Sequence, residues 1–140
     1  MTEPIWVTRE VVLSTQDELL SRFGGLSGIR DEGLLDSALG RPMQLFAYGQ
    51  PTLFDLAASY AFGIVKNHPF LDGNKRAGFM VAYIFLGANG IELDVSEEEV
   101  ILQTLALAAG EITEAGYAAW LKKSCPVVYP KPRVKRKRRA

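Results

Sequence analysis

The sequence predicts an all-α fold in one domain. Through residues 1–123 the apolar residues recur at spacings of three and four rather than two, and no repeat or low-complexity segment interrupts them. Thr8, Thr52, Ser96 and Thr113 stand as N-cap residues before four of these runs. With 140 residues and 48% hydrophobic content, the chain can close a core without disulfides or structural metals.

The first helix is expected from Arg9 to Phe23, with Val12, Leu13, Leu19, Leu20 and Phe23 as its apolar stripe, Thr8 as N-cap and Gly24-Gly25 as its stop. After a glycine-rich loop, Gly24–Arg30, a short helix is expected from Asp31 to about Leu39, closed by Gly40 and Pro42. Thr52 and Asp55 have capping-box spacing and open a helix through Leu56, Ala57, Tyr60, Ala61, Ile64 and Val65, which Pro69 stops by biasing His68 away from helical geometry. The next helix runs from Asn74 to the Asn89-Gly90 pair and is apolar almost all round after Arg76, so other helices must surround it. Ile91 to Val95 has room for a small strand. Ser96 and Glu99 have capping-box spacing for a helix to Ala109, and Thr113 opens a last one ending near Lys123. From Cys125 the chain turns to Pro126, Pro130, Pro132 and RVKRKRRA, too poor in apolar surface to fold, so residues 124–140 are expected to form a disordered basic tail beside a domain of residues 1–123.

The formal net charge of zero conceals a split. Of 16 basic residues nine lie between Lys122 and Ala140, where there is no acid; the remaining seven face 16 acidic residues over residues 1–121, a charge of −9. An acidic domain is a poor ligand for duplex nucleic acid, so a weak RNA or ribosome contact would use the tail. Cys125 is the only cysteine, which excludes an internal disulfide and a cysteine-based zinc cage. MTEPIWVTRE lacks the features of a signal peptide, and the uncharged run Ala77–Asn89 is shorter than the roughly 20 residues of a membrane span. The expected setting is the cytoplasm, with no membrane contact.

The segment His68-Pro69-Phe70-Leu71-Asp72-Gly73-Asn74-Lys75-Arg76 lies between the end of one helix and the start of the buried one. A helix N-terminus presents unpaired N–H groups and a partial positive charge, a natural seat for phosphate, and Gly73 lets the backbone approach closely. Lys75 and Arg76 place two cations in the first turn, where the helix dipole disfavours them unless an anion is bound. Asp72 is a hard oxygen ligand suited to Mg²⁺ that is otherwise held by a nucleotide's phosphates. His68, the sole histidine, carries an imidazole that can act as a general base. Taken singly, His68 reads as structural, Asp72-Gly73-Asn74 as a turn and Lys75-Arg76 as a solvated pair; it is their combination that points to chemistry.

That combination resembles the Fic/Doc signature, H-x-F-x-[D/E]-x-N-[G/K]-R. The resemblance extends to FGGLSGIRDEGLLDSALGRP, from Phe23 to Pro42, and to AAWLKK, from Ala118 to Lys123, and covers about 115 residues without the tail. It implies a compact Fic/Doc-type helical bundle around a buried central helix. Nucleotidyl-transferring members of the family usually carry glycine in place of Lys75 and a second arginine in place of Phe79, so both departures point to the Doc branch. That branch implies a toxin that uses ATP to phosphorylate a threonine of a translation elongation factor and is restrained by a Phd-type antitoxin. Gln16 stands near a position where many Doc-like chains have histidine, and Ala77 where threonine is common. The site implied is His68 as catalytic base, Gly73, Asn74, Lys75 and Arg76 as nucleotide phosphate ligands, and Asp72 as Mg²⁺ ligand. The alternatives are a protein adenylyltransferase using the same His68, and a non-catalytic interaction module with a tail that contacts RNA or the ribosome.

Overall fold

The computed structural model describes residues 2–126. The expected disordered tail therefore lies, from residue 127 onward, outside the described residues. Among the described residues six helices follow one another: α1 (Arg9–Phe23), α2 (Glu32–Tyr48), α3 (Leu53–Asn67), α4 (Asn74–Ala88), α5 (Glu97–Ala109) and α6 (Glu114–Lys123). No described residue belongs to a strand, and no described helix is long and apolar enough to cross a membrane. Ile91 to Val95 forms no strand; Ile91 N–H donates to the Leu86 carbonyl at 2.9 Å and Asp94 N–H to the Ser124 carbonyl at 2.8 Å.

Five helices begin on a side-chain cap, from Thr8, Asp31, Thr52, Ser96 and Thr113. The Thr52–Asp55 capping box forms in both directions. The one expected at Ser96 forms only in half: Ser96 accepts from Glu99 N–H at 3.1 Å, whereas the Glu99 carboxylate turns to accept from the Trp120 indole at 3.1 Å and ties α5 to α6.

The expected end of the second helix near Leu39 is wrong, since α2 runs through Gly40 and Pro42 to Tyr48. Pro42 leaves the Ala38 carbonyl without its helical donor, a break that costs about 3 kcal/mol in an exposed helix. Here packing against α3 offsets it. Gly63 allows an approach so close that a Cβ would stand 3.1 Å from both Ala38 Cα and Cβ. Pro42 itself is buried, and Arg41 pairs with Glu114 of α6 at 2.9 Å while its guanidinium lies 4.9 Å from the Phe62 ring centre.

α4 is the buried central helix expected, and α3 shares the centre with it. Nearly all of α3 from Leu56 to Val65 is buried, and α4 buries Ala77, Gly78, Phe79, Val81, Ala82, Phe85 and Leu86 against it. Gly78 sets their separation, because a Cβ there would meet Val65 Cγ2 at 2.7 Å. The Tyr60 hydroxyl accepts from Val7 N–H at 3.0 Å, and burial pushes it up to about 12. Tyr117 is raised further by burial, with its hydroxyl 2.8 Å from that of Thr104. This rigid pair decides the geometry of the site, for the loop of interest joins the end of α3 to the start of α4.

Candidate active site

The chain leaves α3 at His68, which takes left-handed backbone angles of φ 56° and ψ 53° while its N–H still bonds the Ile64 carbonyl at 3.1 Å. It is the one non-glycine residue with positive φ among the described residues. Pro69 and Phe70 then turn inward, and Phe70 is buried. The Asn74 amide closes the loop from inside: its oxygen accepts from Phe70 N–H at 2.9 Å and its nitrogen donates to the Phe70 carbonyl at 3.0 Å. Asn74 is only 3% exposed, and both ends of its side-chain amide are engaged within the loop.

Gly73 makes the N-cap of α4 in the left-handed region, at φ 75° and ψ 20°, and has no side chain with which to cap. Among the six described helices α4 alone starts without a side-chain cap, so its first N–H groups and the positive end of its dipole are open to an anion. Lys75 and Arg76 stand exposed in this turn without a carboxylate partner among the described residues. Arg76 is held over the Phe23 ring of α1, with its guanidinium carbon 4.3 Å from the ring centre.

Asp72 is steadied from two sides. Its Oδ2 accepts from Leu26 N–H at 2.9 Å, and its backbone carbonyl accepts from Gln16 Nε2 at 2.7 Å. Gln16 is buried under Gly73, with its Oε1 unpartnered. As a metal ligand set this is sparse, because no group of three or more His, Cys, Asp or Glu side chains gathers around a point among the described residues. One exposed carboxylate with Oδ1 unengaged does fit Mg²⁺ that takes its other oxygens from phosphates and water.

His68, Asp72, Gly73, Asn74, Lys75 and Arg76 all line one groove of about 700 Å³. Phe79, Met80 and Tyr83 of α4 and Val100, Ile101 and Leu105 of α5 form its apolar walls. The geometry thus brings together all six residues singled out in the sequence. It adds Gln16, Phe23 and Arg30, which the sequence did not single out as site residues: each acts through tertiary contact with the loop, and none belongs to the loop motif. Arg30 donates from Nε to the His68 carbonyl at 2.7 Å and from Nη2 to the Asn67 carbonyl at 2.9 Å.

A helical bundle that sets a lone exposed histidine beside an uncapped, cation-flanked helix N-terminus can hold an anionic group next to an imidazole able to exchange protons. The Fic/DOC family profile matches residues 6–86, a span that contains His68, the loop and the start of α4 but not the α5 wall of the groove. The chain is 34% identical over 118 residues to "Protein kinase doc" of Escherichia phage P1, covering 84% of this chain and 93% of that protein. It is 37% identical over 131 residues to "Toxin Doc" of Mycolicibacterium smegmatis, covering 85% of this chain and 96% of that protein. The chain belongs to the Fic/DOC family, and both relatives put it in the Doc branch.

Proposed function

We propose that this protein is the toxin of a toxin–antitoxin pair and transfers the terminal phosphate of ATP to a hydroxyl of a protein. The observation that carries the reading is the shared groove, which His68 lines together with the open N-terminus of α4, Lys75 and Arg76. Phosphoryl transfer asks mainly for positioning and for stabilisation of charge on the phosphate oxygens. The backbone N–H groups at the start of α4 and the two cations supply that stabilisation; Arg76 can grip two oxygens with its planar fork, while Lys75 acts as a point charge. His68 accepts the proton as the hydroxyl oxygen bonds to the γ-phosphorus and the bond to the departing ADP breaks. Mg²⁺, when bound, neutralises phosphate charge, and Asp72 Oδ1 is the group that would hold it.

The phage relative's name, protein kinase, supports phosphate rather than adenylate as the transferred group, and so does Lys75 in place of the glycine of nucleotidyl-transferring members. The Doc-branch resemblance of the sequence extends the proposal: the target is a translation elongation factor, the restraining partner is a Phd-type antitoxin and the compartment is the cytoplasm. A translation extract given γ-labelled or α-labelled ATP tests this reading. Label entering protein from γ-ATP alone is expected; entry from α-ATP makes the chain an adenylyltransferase, and entry from neither leaves a non-catalytic interaction module. Expression without its antitoxin should arrest growth, and unimpaired growth would remove the toxin role.

A further inference from the structure

The loop Gly24–Arg30 runs antiparallel to the loop Pro69–Asp72 and is zipped to it along the backbone. Arg30 N–H and Asp31 N–H both donate to the Pro69 carbonyl, at 2.6 and 3.1 Å, and Leu71 N–H donates to the Gly28 carbonyl at 3.1 Å. Ile29 and Phe70 form the isolated bridge between them. The Arg30 side chain adds something different. Its guanidinium reaches past the zipper to the end of α3, where the last carbonyls have no helical donor, and takes the carbonyls of Asn67 and His68 on two nitrogens.

These two carbonyls flank His68, the one non-glycine residue among the described residues whose backbone is held where a side chain is rarely tolerated. The peptide before His68 and the peptide after it are both fixed by the same planar group, so both backbone torsions of His68 are set. Those torsions aim its Cα–Cβ bond and hence decide where the imidazole stands in the groove. Removing the guanidinium leaves the zipper's backbone bonds, the Asn74 clasp and the Asp72 contacts with Leu26 and Gln16 untouched. The phosphate end of the site is therefore independent of Arg30, and the histidine end depends on it.

The geometry points to Arg30 as a positioning residue for His68, fixing the base relative to the phosphate cradle without touching substrate. The inference rests on the phosphotransfer reading for its kinetic consequence but not for its structural one. Because His68 is the only histidine, the untagged full-length protein gives a single imidazole Cε1–Hε1 correlation by NMR, which reports the ring's surroundings whether or not the protein transfers anything.

The test compares wild type, Arg30→Ala and Arg30→Lys in that spectrum, in thermal unfolding, and in kcat and KM for ATP measured well below the unfolding midpoint. In Arg30→Ala the imidazole signal should move or broaden and kcat should fall about 10- to 100-fold, as misplacement of a reacting group by about an ångström does, while KM for ATP stays within about twofold. Arg30→Lys, a point donor without the fork, should recover part of kcat. An unchanged imidazole signal in Arg30→Ala would overturn the proposal, as would a shifted signal with unchanged kcat, or a loss of kcat matched by a loss of folded protein. A wild type that transfers nothing would defeat the phosphotransfer reading alone, and the imidazole signal would still decide whether Arg30 fixes His68.

Discussion

Replacing Gly78 by alanine should wedge apart the two helices that carry the site. The added methyl would stand 2.7 Å from Val65 Cγ2 and 3.2 Å from the Ala61 carbonyl oxygen, the first distance shorter than real side chains reach. Valine on a helix has essentially one rotamer, so Val65 cannot swing aside, and the Ala61 oxygen is backbone. Overpacking of this kind costs about 1–3 kcal/mol, and a 2.7 Å overlap against a stiff neighbour belongs in the upper half of that range. Against it stands the gain of about 1 kcal/mol from replacing glycine by alanine inside a helix. The net loss is about 1–2 kcal/mol, or a fall of roughly 4–8 °C in Tm for a domain of this size. Gly87, later in the same helix, is the control: a Cβ there meets nothing within 4 Å, so Gly87→Ala should stabilise by about 0.5–1 kcal/mol. Calorimetry or circular dichroism on the two variants separates packing from propensity. Because Val65 lies just before His68 and Gly78 just after Arg76, Gly78→Ala should also slow transfer at temperatures where it is fully folded. A Gly78→Ala protein as stable and as active as Gly87→Ala would refute this account of the α3–α4 contact.

Lys75→Gly should weaken phosphate transfer by removing one of the two cations at the cradle and should move some product toward adenylate; radiolabel from α- and γ-ATP reads both, and an unchanged rate and product would make Lys75 a bystander. The Tyr60 hydroxyl is raised by burial to about 12, with its bond to Val7 opposing the shift, so its contribution to stability is fully present below the unfolded value near 10 and is lost as pH rises from there toward 12. Urea unfolding between pH 9 and 12, as an approximate range, should therefore fall less steeply for Tyr60→Phe than for wild type, with a residual slope from Tyr117, and identical slopes would contradict the burial argument.

Much of the fold was legible because it is written locally. Thr8, Thr52, Ser96 and Thr113 cap the helices expected of them, and Gly90 takes the positive φ that ends α4. The course of α2 was not legible, because Gly40 and Pro42 are true stop signals that lose to long-range packing: the Ala38–Gly63 approach and the Arg41–Glu114 pair involve residues far along the chain. Glu99 had the spacing of a capping box, but the Trp120 indole is the stronger claim on its carboxylate. The site divides the same way. His68, Asp72, Gly73, Lys75 and Arg76 announce themselves as one contiguous loop, whereas Gln16, Phe23 and Arg30 reach that loop from α1 and from the segment before α2. Asn74 was legible as part of the motif, and its reciprocal bonds to Phe70 became visible only with the loop folded.

The central claim is that His68 is the base for phosphate transfer beside a cradle that binds ATP without it. The most direct measurement follows the mass of a modified target protein after incubation with ATP and either wild type or His68→Ala, with ATP binding and the unfolding midpoint of both proteins taken in parallel. Wild type should add a single phosphate. His68→Ala should remain folded, bind ATP as before and lose activity by about 10² to 10⁴, the span that general-base catalysis contributes. A folded His68→Ala protein that transfers phosphate at the wild-type rate, or a wild-type product carrying an adenylate in place of a phosphate, would contradict the account.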